Sequence, residues 1–280
     1  MINSNCSNFN PINYNILMVE DSKSLIKILN TSFKSLGFNT FLAMTLQEAR
    51  EIIKINKIDY IILDINLPDG SGYDLIKELS TTLIKIIVLT SQTDSQLKEV
   101  SYQKGVMDFI NKDKNFLYKI SGIPQLIKQI EKNRFKTVLV VDDSFVVREQ
   151  IKSILSNRNY NLIEAINTNE ALNKISTNKI DLMLLDLELE GLSGYDFLVK
   201  NKKLILDEQK IKVVFITGNI SSNFIRDAFR LGVKDIIKKP YAIEELILKT
   251  DLFINDKDVE DEMICSKQLL EQYKNTVDRS

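Results

Sequence analysis

The chain has 280 residues, of which 44% are hydrophobic and 27% charged, with a formal net charge of -1. This balance predicts two folded domains of ordinary size, excludes a disordered chain, and gives no electrostatic reason to expect nucleic acid or an anionic membrane as partner. The absence of His excludes Ser-His and Cys-His nucleophile pairs, His-ligated zinc and a phosphohistidine on this chain, while Cys6 and Cys265 are too few and too scattered for a disulfide framework.

No apolar run approaches the roughly 20 residues needed to span a bilayer. The polar start also lacks a signal peptide's apolar segment, so a cytoplasmic location without membrane insertion is expected. After that start, Asn15 to Val19 reads as a strand and Lys23 to Leu36 as a helix capped by Ser22, with Leu25, Ile28, Leu29 and Phe33 on one face. Strands then follow at Phe38 to Leu42, Tyr60 to Leu63, Ile86 to Leu89 and Met107 to Ile110. Between them lie helices Leu46 to Ile55, Tyr73 to Leu79 and Ser95 to Lys104, and a last helical stretch, broken or bent at Gly122 and Pro124, runs to Asn133.

The same alternation resumes after Arg134-Phe-Lys136. Its strands are Val138 to Val141, Asn161 to Ile163, Leu182 to Leu185, Val213 to Ile216 and Asp235 to Ile237, and its last helix ends near Ile254. Helices between short apolar strands imply a parallel, doubly wound α/β sheet with right-handed crossovers. The expected organisation is a polar tail 1–13, a domain 14–133, a linker 134–136, a second domain 137–255 and a C-terminal helical connector 256–280.

The two halves repeat in register. Asp59-Tyr-Ile-Ile-Leu-Asp64 returns as Asp181-Leu-Met-Leu-Leu-Asp186, and Glu20-Asp21 returns as Asp142-Asp143, each 122 residues on. Thr90 maps to Thr217 and Lys112 to Lys239, each 127 residues on, so a five-residue insertion falls in the surface connection around Lys202 to Lys210. All these positions follow strand ends, where ligands bind in open α/β sheets. Three converging carboxylates repel unless a cation neutralises them, and an all-oxygen set suits Mg2+. Lys and Thr nearby would serve an anion, so the set fits phosphoryl transfer to an Asp.

Both halves resemble the receiver domains of two-component response regulators. The resemblance rests on Val19-Glu20-Asp21-Ser22, Leu63-Asp64, Leu89-Thr90-Ser91 and Asn111-Lys112, then on Val141-Asp142-Asp143-Ser144, Leu185-Asp186, Ile216-Thr217-Gly218 and Lys238-Lys239-Pro240. It covers residues 14 to 255 and implies two five-stranded, flavodoxin-like domains in a bacterial signalling protein. It further implies that Asp64 and Asp186 accept a phosphoryl group from a histidine kinase or phosphotransfer protein. Asp21 and Asp143 would ligate Mg2+, assisted by Glu20 and Asp142, with backbone carbonyls of Asn66 and Glu188 completing the site. Lys112 and Lys239 would hold phosphoryl oxygens, Thr90 and Thr217 would report the modification, and Phe109 would act as the switch aromatic.

This sequence departs from the family pattern at Asp113, where Pro is usual, and at Glu190 and Ile236, which replace the loop Pro and the switch aromatic in the second half. The segment Leu269 to Ser280 resembles the lead-in to a PAS domain, so the chain is expected to be the regulatory part of a longer PAS, cyclase or kinase protein acting on a downstream domain or partner. A homodimer stays open. An Mg-dependent phosphatase and a scaffold of unphosphorylated pseudo-receivers are the alternatives, the first disfavoured because no acid stands two residues after Asp64.

Overall fold

The structure is a computed structural model that describes residues 13–91, 95–218 and 222–255. The expected connector 256–280 and both cysteines lie outside the described residues. The contacts divide the chain into two compact units, one running to Phe135 and including Ser153–Tyr160, the other comprising Lys136–Lys152 and the chain from Asn161.

The first sheet contains β1 (Asn15–Val19), β2 (Asn39–Ala43), β3 (Tyr60–Asp64), β4 (Lys85–Thr90) and β5 (Val106–Asn111). All pairings are parallel, in the order β2-β1-β3-β4-β5. The connections carry α1 (Lys23–Ser35), α2 (Leu46–Ile55), α3 (Gly72–Leu79) and α4 (Ser95–Tyr102), and after β5 come α5 (Phe116–Ser121) and α6 (Ile123–Asn133). Each residue of β3 is buried, as a central parallel strand covered on both faces requires. Alternate side chains separate into two layers: Ile16, Met18 and Ile62 meet Leu29, Phe33 and Ile127, whereas Leu17, Val19 and Leu63 meet Leu46, Ala49 and Leu75.

Local signals explain most boundaries. Ser22 Oγ accepts from the Leu25 amide at 3.4 Å and Thr45 Oγ1 from the Glu48 amide at 3.1 Å, each satisfying a donor that the helix start leaves orphaned. Gly122 separates α5 from α6, and Pro124 sits in the first turn of α6, where its missing N–H costs nothing. One expected helix face is corrected. The buried stripe of α1 is Ile26, Leu29 and Phe33, while Ile28 is 49% exposed, because Ile28 lies about 200° around the helix from Ile26.

The second sheet repeats the order as β7-β6-β8-β9-β10, from β6 (Thr137–Val141), β7 (Asn161–Ala165), β8 (Leu182–Asp186), β9 (Lys212–Thr217) and β10 (Asp235–Lys238). Its helices are α7 (Phe145–Ser156), α8 (Thr168–Thr177), α9 (Gly194–Lys202), α10 (Ser222–Leu231) and α11 (243–255). The five-residue insertion falls in a segment that forms a six-residue π-helical turn, Lys203–Glu208, appended to α9. It is more than a surface connection, since Ile205 is fully buried in the core. Among the described residues no helix is long and apolar enough to cross a membrane.

Candidate functional site

The sheet registers bring the acids together. Val19 pairs with Leu63 and Val141 with Leu185, so the residues that follow β1 and end β3 leave the sheet side by side, as do those at β6 and β8. Ligand oxygens of Glu20, Asp21 and Asp64 all lie within 4.8 Å of one another, and those of Asp142, Asp143 and Asp186 do the same. Lys112 is held at the same edge by its amide, which donates to the Thr90 carbonyl at 2.7 Å, and Lys239 donates likewise to Thr217 at 2.8 Å.

Within each unit the ammonium bridges two carboxylates. Lys112 Nζ stands 3.0 Å from Glu20 Oε2 and 2.6 Å from Asp64 Oδ2, and Lys239 Nζ stands 2.8 Å from both Asp142 Oδ2 and Asp186 Oδ2. Burial pushes the Glu20 and Asp142 carboxyls above their ordinary values, although the Lys bonds pull the other way. Burial also pulls each Lys down, but the two carboxylates outweigh it and leave both ammonium groups raised. Glu20, Asp64, Asp142 and Asp186 are buried, whereas Asp21 and Asp143 are exposed. Such an all-oxygen set, with an open side and negative charge exceeding the single ammonium, fits a small hard dication.

The remaining expected residues surround this edge. The amides of Asn66 and Glu188 donate to Asp64 Oδ1 and Asp186 Oδ1, each at 3.2 Å. Thr90 and Thr217 are buried at the ends of β4 and β9. Phe109 lies partly buried on β5, edge-on to Tyr102 at 5.2 Å with Lys98 Nζ 5.5 Å from its ring centre, whereas Ile236 packs against the second core.

Sequence reasoning missed several supports. A Cβ on Gly72 would stand 2.5 Å from the Asp64 carbonyl oxygen, and one on Gly194 would stand 2.0 Å from that of Asp186. Only glycine lets the following helix start this close to the acceptor strand, and the recurrence of Gly at both positions was the available signal. Arg148, buried on α7, donates through Nη1 to the carbonyls of Asp142 at 2.8 Å and Asp143 at 3.1 Å, and its Nε meets Glu164 Oε2 at 3.1 Å. The first unit has Ile26 and Leu42 at the corresponding positions, 122 residues earlier. Beyond Lys239, burial pushes the Tyr241 phenol up to about 12, and its buried hydroxyl has no hydrogen-bond partner among the described residues.

Comparison with known proteins places this geometry. The family model described as "Response regulator receiver domain" matches residues 16–119 and again residues 138–251. The transcriptional regulatory protein CrdR of Helicobacter pylori is 29% identical over 127 residues, covering 45% of this chain and 58% of that protein. Sporulation initiation phosphotransferase F of Bacillus subtilis is 28% identical over 109 residues, 39% of this chain and 86% of its own length. This chain spans about half the length of the transcriptional regulators that it matches. The solved structure of a two-component system response regulator/GGDEF domain protein superposes with a TM-score of 0.72 over 87% of this chain and 98% of its own, at 23% identity, a likeness of fold. The protein therefore belongs to the response regulator receiver domain family of two-component signalling, and carries two such domains in tandem.

Proposed function

We propose that each unit accepts a phosphoryl group, on Asp64 in the first and Asp186 in the second, from the phosphohistidine of a histidine kinase or phosphotransfer protein. The observation that carries this reading is the ammonium shared between acceptor and acid pair in both units. An acceptor carboxylate oxygen attacks phosphorus, the bond from phosphorus to the donor imidazole nitrogen breaks, and the imidazole keeps the electron pair.

Asp64 and Asp186 are buried with one oxygen on Lys and the other on a loop amide, so their attacking groups are held in place. Lys112 and Lys239, already bridging, would pass from carboxylate to phosphoryl oxygens, and Thr90 and Thr217 would supply hydroxyls to the new anion. Glu20, Asp21 and Asp64, with the Asn66 carbonyl, would hold Mg2+ in the first unit, and Asp142, Asp143 and Asp186 with the Glu188 carbonyl in the second. When bound, Mg2+ offsets the acids' repulsion and draws negative charge from the phosphoryl oxygens.

The modified units, with boundaries at 14–133 and 137–255, would then alter contacts with a downstream domain or protein in the cytoplasm. In the first unit Phe109 would change packing behind Thr90. The second would respond through its loops, because stiff, branched Ile236 makes no comparable swing. A PAS, cyclase or kinase domain beyond Ser280 would be the output; the tandem fold shared with a response regulator/GGDEF domain protein supports that reading. Acetyl phosphate with Mg2+, followed by borohydride reduction and peptide mapping, should label both acceptors. Label on neither would overturn the proposal, and label on one would make the other unit a scaffold.

A further inference from the structure

The extra turn of the second unit builds a basic pocket at the opposite edge of its sheet. Lys212 opens β9 and Thr217 ends it, so at roughly 3.3 Å per residue the pocket lies about 17 Å along the strand from the acceptor edge. The cavity, of about 450 Å³, is lined by Lys202, Lys210, Lys212, Arg230 and Lys234 against one acid, Asp207. Among the described residues no ion pair holds Lys202, Lys210 or Lys234, and Arg230 reaches Asp227 at 3.8 Å.

The pocket wall is a built feature rather than a loose loop. The Gln209 amide donates to Leu204 O and the Ile211 amide to Ile205 O, both at 2.9 Å, which holds Lys210 between them at φ 57°. A non-glycine residue there persists only where its surroundings over-determine it. Opposite, Gly232 approaches Leu206 so closely that a Cβ would stand 3.1 Å from Leu206 Cδ1.

The same pocket adjoins the chain's exit. Lys212 Nζ donates to the carbonyl of Phe253 near the end of α11. Three residues later the sequence reads Asp256-Lys-Asp-Val-Glu-Asp-Glu262, five acids against one lysine, and three extended residues reach about 10 Å. We propose that the basic pocket is the docking site of this chain's own acidic segment 256–262. Tethering gives that segment a millimolar-scale effective concentration at the pocket, and the charges are complementary. The contact would set the direction in which the chain leaves the second unit, independently of phosphoryl chemistry.

Hydrogen exchange on the full chain at low salt tests this. Residues 203–211 in the wild type should exchange on the order of fivefold more slowly than in a variant carrying Asp256→Asn, Asp258→Asn, Glu260→Gln, Asp261→Asn and Glu262→Gln, the effect of a few exposed ion pairs acting together. Lys202→Gln with Lys234→Gln should remove the same protection, combining both sets should add nothing, and about 1 M salt should abolish it. Equal exchange in the wild type and the neutral-tail variant overturns the proposal. Protection that rises with protein concentration overturns it in favour of a second copy's tail, and protection of the wild type by added pyrophosphate at no cost to the tail's own protection overturns it in favour of a free anion.

Discussion

The two units present nearly the same acids and the same Lys at the same sheet edge, but they support them differently. In the first, the position of Arg148 is taken by Ile26, which packs in the apolar core. In the second, a buried guanidinium clamps the Asp142 and Asp143 carbonyls and is itself held by Glu164, which also pairs with Lys152 at 2.6 Å. At the opposite edge the asymmetry reverses: Tyr60 and Tyr14 both donate to Glu131, which also pairs with Lys85 at 3.3 Å, whereas Leu182 occupies the position of Tyr60 in the second unit. The difference teaches that the positions converging on the site are tightly constrained, while the supports behind them can be apolar or ionic.

The largest expected break comes from the glycines. Gly194→Ala should destabilise the second unit by about 3 kcal/mol or more, and Gly72→Ala should destabilise the first by somewhat less, because the clash is with backbone that cannot rotate away. Denaturant unfolding followed by hydrogen exchange would assign each loss to its unit. An equal, small effect at both would show that the helix starts can shift.

Arg148→Met should cost about 2–3 kcal/mol, since it leaves two carbonyls and a carboxylate without their guanidinium. It should also lower Mg2+ affinity in the second unit several-fold while sparing the first, which calorimetry on single-acceptor variants would resolve. Arg148→Lys should recover only part of both losses, because one ammonium does not reproduce the fork.

Asp64→Asn or Asp186→Asn should stabilise the metal-free fold by on the order of 1 kcal/mol, since the amide still accepts from Lys while one of three converging charges is removed. Thermal melts should show the gain shrinking when Mg2+ is present. Equal gains with and without the ion would separate the carboxylates from any shared cation.

The smallest effect is a pH dependence that differs between units. Glu20 and Asp142 are raised in the folded state, so they bind their protons more tightly there; their stabilisation is full below the unfolded values and fades as pH rises through the folded ones. Glu131 is the reverse: burial raises it, but the Tyr60, Lys85 and Tyr14 partners win and leave it lowered, so its contribution is present above its unfolded value and fades as pH falls. Glu131→Gln should flatten the acid limb of the first unit's stability and leave the second unit's limb unchanged. Chemical denaturation between about pH 3 and pH 6, read separately for each unit, would show it.

The sequence by itself determined the two doubly wound sheets and which residues stand at their strand ends, because buried parallel strands are continuous apolar runs and the residues just past them are placed by strand order alone. It also placed the Ser22 cap and the break at Gly122, which are local backbone chemistry. Tertiary structure alone decided the rest. Ile28 is exposed because packing, not apolarity, selects a helix face, and Ile205 is buried because the insertion coils back as a π turn onto the core. Arg148 reads in sequence as one more helical cation. Its role exists only where α7 carries it beneath two carbonyls and beside Glu164 on β7, a contact between elements that no local pattern encodes.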